Sequence, residues 1–383
     1  MTLTFDDIVC AAREKSGATD PASDSWREGL EILLRDHARE QSLTERGEGI
    51  IRNRYVQALA GRMQVDDYIR RNPAVTSAPI KRPVFILGMP RTGTTMVSCM
   101  MDADPANRSL LRWEAYQGGA PAAPGELKSD PRCLAELIRD EEMLKANPGM
   151  AATHWEPADG PTECVHLVAQ DFRSLMLGVL SVTPTYHDWL LFCDMATAFE
   201  HRKHVLQILQ TNNSGRWVLK MPSDSLFIRQ LFKTFPDAKV IWTHRDPYAA
   251  FASSISMRGK SRTIFNKDSG LSYMQENFPM QLAMHLSRPL EVSSERPDDV
   301  YHLYYDDLVA DPLTQMKSIY RWLGDDWTEA GEAGMRGWLG ANPQGRYGVH
   351  RYSLSEWGFS KQDLDPYFSD YLKIHPVATS QEA

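Results

Sequence analysis

The feature that most limits the possible folds of this chain is a short apolar run followed by a glycine-rich turn. Residues 84–87 read VFIL, which is typical of a strand buried on both faces of a parallel sheet. Gly88 and Gly93 then permit a tight loop, and the residues from Thr95 to Met101 suit a buried helix. The free N–H groups and the dipole at the start of such a helix favour a bound anion, so this stretch predicts a phosphate site.

The loop has the spacing of a nucleotide P-loop but departs from it at one position. Gly88 and Gly93, followed by two hydroxyl residues, match the GxxxxG core, whereas Thr94 stands where a nucleoside triphosphatase has its lysine. That lysine contacts the β and γ phosphates, so its absence argues against metal-assisted phosphoryl transfer. The basic residue of this loop is Arg91 instead. A tight turn in an ordinary α/β protein is the alternative interpretation.

A second candidate anion site follows the strand predicted at residues 239–242. Asp246 suits the N-cap of a helix and Pro247 its first residue, so a helix is predicted to begin there. Arg245 ends the strand and Ser253 follows eight residues later, which places a guanidinium, a hydroxyl and helix N–H groups within reach of one phosphate. Taken alone, Arg245 could equally be a surface charge at the end of a helix.

Two more strands are predicted at residues 217–219 and 300–305. Lys220 follows the first of them and should point into the crevice where open α/β sheets bind ligands, the alternative being a snorkelling lysine at the sheet edge. Successive strand-then-helix units imply parallel strands joined by right-handed crossovers. We therefore predict an α/β fold with a P-loop-like parallel β-sheet flanked by helices over residues 79–383. An N-terminal helical layer over residues 1–78 precedes it.

Composition narrows the class of protein. The net charge of −8 over 383 residues argues against a general nucleic-acid-binding protein, because phosphate contacts dominate such affinity. The five cysteines are scattered and odd in number, which is typical of buried, reduced thiols in a cytosolic protein. No run approaches the ~20 apolar residues that span a bilayer. We expect a cytoplasmic protein without a membrane span.

Both anion motifs resemble those of sulfotransferases that use 3′-phosphoadenosine 5′-phosphosulfate (PAPS), in particular the bacterial-type family. The first loop reads PRTGTT, and the second motif reads HRDPYAAFASS with the arginine-to-serine spacing of that family. The segments around Tyr305 and Arg351 also resemble its C-terminal signatures. The resemblance implies that PAPS, or its product PAP, is bound by Arg91, Thr92, Gly93, Thr94, Thr95 and Met96, by Arg245 and Ser253, and by Arg351 and Tyr352.

The implied reaction moves a sulfuryl group to an acceptor hydroxyl or amine and needs cations and a base. Arg91 and Lys220 are candidates for stabilising negative charge on the leaving phosphate. Members of the family often read LKxPxH after the second strand, whereas here Asp224 takes the place of the histidine. Asp224 could be the base or only a helix cap. His154, in an acid-rich loop, is the preferred candidate for the general base, and Glu163 is the next.

Two other functions remain open at this point. A nucleotide kinase or related phosphotransferase would need magnesium and the lysine that this loop lacks. A non-catalytic nucleotide-binding module would fit the missing histidine, although Arg91, Lys220, Arg245 and Ser253 together favour catalysis.

The implied acceptor is a small molecule with a hydroxyl group or an amine. The segments between the motifs are rich in Trp, Met and Phe, which suits an apolar pocket for it, although the same residues would serve as core in any chain of this size. No metal is expected. His201 and His204 are only three residues apart but lack a third ligand nearby, and they are predicted to lie on a solvated helix face.

Overall fold

A five-stranded parallel sheet forms the centre of the molecule. The computed structural model describes residues 3–117, 119–146, 156–343 and 353–379. The strand order is β2-β3-β1-β4-β5, and every neighbouring pair is parallel. The strands are β1 (Val84–Gly88), β2 (Asn107–Ser109), β3 (Arg216–Lys220), β4 (Lys239–His244) and β5 (Val300–Tyr304). The prediction of an α/β fold with a P-loop-like parallel sheet is confirmed.

Helices account for most of the remaining chain. No helix in the described ranges combines the length and the apolar character that crossing a membrane requires. Short 3-10 helices cover Pro73–Ser77, Pro222–Phe227, Pro297–Asp299 and Ser355–Trp357. The α-helices are α1 (Phe5–Ser16), α2 (Arg27–Glu40), α3 (Glu45–Arg71), α4 (Thr94–Asp102), α5 (Arg112–Gln117), α6 (Pro131–Ala146), α7 (Val165–Ala169), α8 (Leu175–Gly178), α9 (Pro184–Phe192), α10 (Ala196–Leu209), α11 (Ile228–Thr234), α12 (Pro247–Phe265), α13 (Leu271–Glu295), α14 (Tyr305–Ala310), α15 (Pro312–Leu323), α16 (Glu329–Ala341) and α17 (Lys361–Ile374).

Strand β1 is buried on both faces, as its apolar sequence predicts. Phe85 and Leu87 pack into the larger apolar core, which also holds buried residues of the N-terminal helices such as Tyr55. Val84 and Ile86 face the other way and pack into a second core with residues of α4, α15 and α16. Because the N-terminal helices share the core of the sheet, they form a layer of one packed unit. The predicted boundary between the N-terminal helical layer (residues 1–78) and the α/β part (residues 79–383) stays a prediction.

Strand β2 was not predicted, since residues 108–117 carry a helix-like pattern. The structure forms a three-residue edge strand at Asn107–Ser109, and helix α5 begins only at Arg112. The strand is stabilised by contacts that a local pattern does not reveal. The Arg108 guanidinium lies 4.5 Å from the centre of the Trp217 ring on β3 and pairs with the buried carboxylate of Glu114.

The expectation of buried, reduced cysteines is only partly correct. All five thiols are free, and Cys133 and Cys164 are buried. Cys10 is exposed, because it lies on the outer face of α1 while Ile8 and Ala12 occupy the buried face.

Acid should destabilise the N-terminal layer through His37. Its Nε2 lies 2.8 Å from the Tyr55 hydroxyl in the core, and burial lowers the pKa of His37 to about 4. A histidine whose pKa is lower in the folded state stabilises the fold above its unfolded pKa near 6.5 and loses that contribution as the pH falls toward 4. From pH 7.5 to 5.5, the wild-type protein should therefore lose roughly 1 kcal/mol more unfolding free energy than His37→Gln, measured by urea unfolding. If both proteins lost the same unfolding free energy over this pH range, protonation of His37 would not be the cause of the acid destabilisation.

Candidate active site

The loop after β1 is fixed against β4 by close backbone packing and by hydroxyl groups. Gly88 has a φ of +147°, and a Cβ at this position would lie 2.6 Å from the Thr243 Oγ1 atom. Thr92 Oγ1 donates to the Met89 carbonyl oxygen at 2.7 Å and lies 2.6 Å from Thr243 Oγ1. The Thr92 side chain is therefore buried and holds the loop in shape. Only its backbone N–H is left as a candidate for nucleotide binding.

Helix α4 starts directly at this loop, and its first N–H groups face the site. Gly93 is the N-cap with a φ of 93°, and no side chain in the described ranges caps this end of the helix. The first helical hydrogen bond is donated by the Val97 N–H to the Gly93 carbonyl at 3.3 Å. The N–H groups of Thr94, Thr95 and Met96 therefore precede the regular helical hydrogen bonds, which is the arrangement that binds anions.

The structure brings the two predicted anion motifs together. Asp246 caps α12 through a hydrogen bond from the Tyr248 N–H at 2.9 Å, so the chain turns at Arg245 as predicted. Arg245 donates from Nη1 to the Arg91 carbonyl oxygen at 2.8 Å. Arg91 donates from Nε to Ser253 Oγ on α12 at 3.1 Å. Arg91, Arg245 and Ser253 thus form one basic patch beside the start of α4, although Arg91 and Ser253 are 162 positions apart in the sequence.

The aromatic ring of Tyr305 completes this patch. It lies under the Arg245 guanidinium, with the centre of the ring 4.4 Å from Cζ, and it also restricts the loop, because a Cβ on Gly93 would lie 3.0 Å from the ring. A guanidinium stacked on an aromatic ring keeps its N–H edge free for an anion.

Lys220 is buried at the carboxyl end of β3 and contacts the start of α4. Its Nζ donates to Thr95 Oγ1 at 3.3 Å and to Glu156 Oε1 at 2.7 Å, and it lies 3.5 Å from Glu163 Oε1. Burial lowers the pKa of Lys220, but the carboxylates of Glu163 and Glu156 outweigh that effect and raise its pKa above the ordinary value. Lys220 therefore carries a positive charge at neutral pH and lies between the start of α4 and two acids, and its predicted role in the site stays a prediction.

Glu156 was not predicted as a functional residue. It pairs with Lys220 through Oε1, and its Oε2 accepts a hydrogen bond from Thr162 Oγ1 at 2.6 Å. The only signal in the sequence is its position in the acid-rich loop that also carries His154 and Glu163.

A cleft of about 430 Å³ joins these groups to an apolar wall. This volume lies within the range of small-molecule sites, roughly 300–1,000 Å³. The polar lining of the cleft includes Arg91, Thr94, Thr95, Glu163, Ser223, Arg245, Arg258 and His285, and the apolar lining includes Val165, Leu175, Met176, Val179 and Met257. A larger cavity of about 1,240 Å³ lies near the opposite, amino ends of the strands, away from these charged groups.

The sequence suggested that Asp224 is either the general base or a helix cap, and its position in the structure fits neither role. It lies inside the 3-10 helix Pro222–Phe227, whose N-cap is Met221, so it is not a helix cap. Both carboxylate oxygens accept from Arg202 Nη1, at 2.8 and 3.0 Å, and both side chains are buried. Burial raises the pKa of Asp224, and Arg202 opposes this effect. This buried pairing with Arg202 fits a structural role for Asp224 and not that of a general base.

Among the other candidates for the base, Glu163 lies in the site. It lines the cleft, and its backbone forms an isolated parallel β-bridge with Lys220 that extends the edge of the sheet. His154, Arg351 and Tyr352 lie outside the described residues, so their predicted roles stay predictions.

His201 does not lie on a solvated helix face, because its side chain is buried and its Nε2 lies 2.7 Å from Gln170 Oε1. The prediction fits His204 better, since its Nε2 lies 3.2 Å from Glu200 Oε1 and the side chain is 29% exposed. A different histidine cluster, formed by His244, His302 and His375, escaped the sequence analysis because its members are distant along the chain.

Comparisons with known proteins agree with this geometry. A family model described as the sulfotransferase family matches residues 83–329. The omega-hydroxy-beta-dihydromenaquinone-9 sulfotransferase Stf3 of Mycobacterium tuberculosis is 31% identical over 251 residues, which are 63% of this chain and 62% of that protein. The match to Stf3 of Mycobacterium bovis has the same extent. The chain thus spans less than two thirds of the length of these curated relatives.

Two crystal structures are similar over nearly the whole chain. The sulfotransferase STF9 from Mycobacterium avium has a TM-score of 0.91 and 37% identity, covering 99% of this chain and 98% of that one. The sulfotransferase STF1 from Mycobacterium tuberculosis H37Rv has a TM-score of 0.84 and 28% identity, covering 96% of this chain and 99% of that one. Because the family model covers more than half of the sequence and STF9 is similar over its full length, this chain belongs to the sulfotransferase family.

Proposed function

We propose that this protein transfers a sulfuryl group from PAPS to a hydroxyl group of a small apolar acceptor. The observation that carries the proposal is the basic patch of Arg91, Arg245 and Ser253, whose members are linked by contacts of 3.1 and 2.8 Å beside the start of α4. A donor with phosphate groups at both its 3′ and 5′ positions needs two anion sites, and this patch and the loop before α4 provide them.

The residues divide between the two ends of the donor. The N–H groups of residues 93–96 and the Arg91 guanidinium would hold the phosphosulfate end. Arg245 and Ser253 would hold the 3′-phosphate, with the Tyr305 ring orienting the Arg245 guanidinium. In the bound state the donor supplies an activated sulfuryl group. Arg351 and Tyr352 stay candidates for contacts with the same nucleotide.

Lys220 and Glu163 are the proposed catalytic pair. The Lys220 ammonium is fixed by Glu156 at 2.7 Å and contacts Thr95 at 3.3 Å, so it is preorganised to stabilise negative charge that develops on the leaving phosphate. Glu163 lines the cleft, lies 3.5 Å from the Lys220 ammonium, and is a carboxylate that can accept the proton of the acceptor hydroxyl. His154 remains the alternative base.

The apolar lining of the cleft supports an apolar acceptor. It includes Leu175, Met176, Val179 and Met257, which offer aliphatic and thioether surface. The name of the relative Stf3 describes a hydroxylated menaquinone derivative as the molecule that it sulfates. The two observations together favour a hydroxylated apolar acceptor for this chain.

The test begins with thermal unfolding of the purified protein in the presence of PAP, and separately of ATP with Mg²⁺. A ligand that binds only the folded state raises the melting temperature with its concentration relative to Kd. We expect a rise with PAP in the absence of metal, followed by sulfuryl transfer from labelled PAPS to members of a panel of hydroxylated apolar molecules. Stabilisation by ATP and Mg²⁺ alone would overturn the proposal in favour of a phosphotransferase, and PAP binding without turnover on any acceptor would favour a binding module.

Arg245→Ala should weaken PAP binding about 10- to 100-fold, because a charge-assisted hydrogen bond to a phosphate contributes about 1.5–3 kcal/mol. Isothermal titration calorimetry measures the effect directly. The matched control is Arg229→Ala, which removes an exposed arginine paired with Glu295 on the outer surface and should leave PAP affinity unchanged. Unchanged affinity in Arg245→Ala would refute the assignment of the 3′-phosphate site.

A further inference from the structure

A cluster of three histidines lies outside the catalytic cleft. His244 is the last residue of β4, His302 lies on the neighbouring strand β5, and His375 follows α17 directly. One ring nitrogen of each histidine lies within 4.8 Å of the others. The ring centres are 4.3 to 5.1 Å apart. His244 is completely buried and His302 is partly exposed, so the cluster is internal but open to solvent on one side.

Two tyrosine hydroxyls hold the rings of this cluster in place. The Tyr371 hydroxyl lies 2.8 Å from His244 Nδ1, and the Tyr304 hydroxyl lies 3.1 Å from His375 Nδ1. Metal-binding histidines are commonly held in this way, with one nitrogen fixed by an outer hydrogen bond and the other directed at the ion. The tyrosines thereby select Nε2 of His244 and Nε2 of His375 as the ligand atoms.

The third contact lies between two of the histidines themselves. His244 Nε2 lies 2.9 Å from His302 Nδ1, so one proton is shared between the two nitrogens. A neutral imidazole keeps one lone pair that an ion can use. Moving the His302 proton from Nδ1 to Nε2 would free both facing nitrogens without changing the charge of the protein.

We propose that His244, His302 and His375 bind a divalent transition-metal ion of the Zn²⁺ type. Three neutral imidazoles suit Zn²⁺, Co²⁺ or Ni²⁺ and do not suit Mg²⁺ or Ca²⁺, which prefer oxygen ligands. Zn–N bonds of about 2.0–2.1 Å in a tetrahedral site place the nitrogens roughly 3.3 Å apart. The structure gives 2.9 Å for one nitrogen pair and an upper limit of 4.8 Å for the others, so the three rings must rotate to place their nitrogens around one ion.

Such an ion would join parts of the fold that are distant in sequence. It would link two neighbouring strands of the sheet to the segment after α17, and His302 lies 58 positions from His244. His244 directly precedes Arg245, so the ion would also stiffen the end of the strand that carries the proposed 3′-phosphate site. This metal site does not depend on the proposed sulfotransferase activity.

The test uses the full-length protein after treatment with a chelator and its removal. Titration with Co²⁺ should produce visible d–d absorption that saturates at one equivalent, and Zn²⁺ should displace the Co²⁺ and raise the melting temperature. His302→Gln should weaken Zn²⁺ binding about 100-fold or more, because it removes one of the three ligands. The matched control is His204→Gln, which changes a histidine on α10 outside the cluster and should bind Zn²⁺ as the wild-type protein does.

His375→Gln provides a second variant if His302→Gln fails to fold. X-ray absorption of the Zn²⁺-loaded wild-type protein counts the imidazole ligands without any substitution and should find three. Failure of the wild-type protein to bind Co²⁺ at one equivalent, or fewer than two imidazoles at the bound Zn²⁺, would overturn the proposal. Zn²⁺ affinity that is unchanged in a folded cluster variant would overturn it as well.

Discussion

Replacing Lys220 by methionine is expected to lower turnover about 100- to 1,000-fold, the range seen when one preorganised donor to developing negative charge is removed. The ammonium lies at the end of β3 between Thr95 and Glu156, where it acts on charge that grows only in the transition state. PAP affinity should change much less, because the nucleotide is held mainly by the loop before α4 and the basic patch. Methionine keeps most of the buried volume of the lysine stem, so the apolar packing is retained.

The measurement pairs steady-state kinetics on the best acceptor of the panel with calorimetry of PAP binding. Lys239→Met is the matched control. Lys239 is the first residue of β4, so it lies at the amino ends of the strands, opposite Lys220, and it also pairs with an acid, Asp299, at 2.9 Å. It should keep full turnover. Equal losses of turnover and PAP affinity in Lys220→Met would assign Lys220 to ground-state binding, contrary to the proposed catalytic role.

Asp224→Ala is expected to lower the free energy of unfolding by about 3–5 kcal/mol, because it leaves Arg202 as a buried charge without its partner. The Arg202 side chain is fully buried between the rings of Phe199 and Phe85, at 4.3 and 5.1 Å. Within the described ranges, its Nε and Nη2 atoms have no hydrogen-bond partner, so the neutralising contact is the one between Nη1 and Asp224.

Urea unfolding of the single variant and of the double variant Arg202→Met with Asp224→Leu separates structure from catalysis. Replacing both members of a buried ion pair by apolar residues is often close to neutral, so the double variant should regain most of the stability. If Asp224→Ala kept the stability of the wild-type protein and lost activity only on the basic side of the pH profile, the carboxylate would be the general base instead.

The meeting of the two anion motifs was predictable because the signals of each motif are local. The loop from Gly88 to Gly93 and the turn from Arg245 to Pro247 each require particular backbone conformations and caps within a few residues, and these leave a pattern in the sequence. Their meeting in space follows from strand order, since β1 and β4 are neighbours and both motifs lie at their carboxyl ends.

The acid and base assignments depended on contacts between distant residues, which a local pattern does not contain. Asp224 is paired with a residue 22 positions away, and Glu156 with one 64 positions away. Asp224 was therefore interpreted from its neighbours in sequence without its partner Arg202, and Glu156 was overlooked. The edge strand β2 was missed for the same reason, since it pairs with β3 and packs Arg108 on Trp217, both of which are distant along the chain.

The charged and the apolar lining of the cleft differ in how they are fixed, and this has a consequence for how such proteins diversify. Much of the charged lining lies at the loop before α4 and at the end of β4, where backbone geometry is restricted. Much of the apolar lining consists of single side chains, among them Leu175, Met176 and Val179 around α8. A duplicated gene could therefore acquire a new acceptor by exchanging a few of these side chains while keeping the same donor. Natural variation among paralogues should concentrate at that wall.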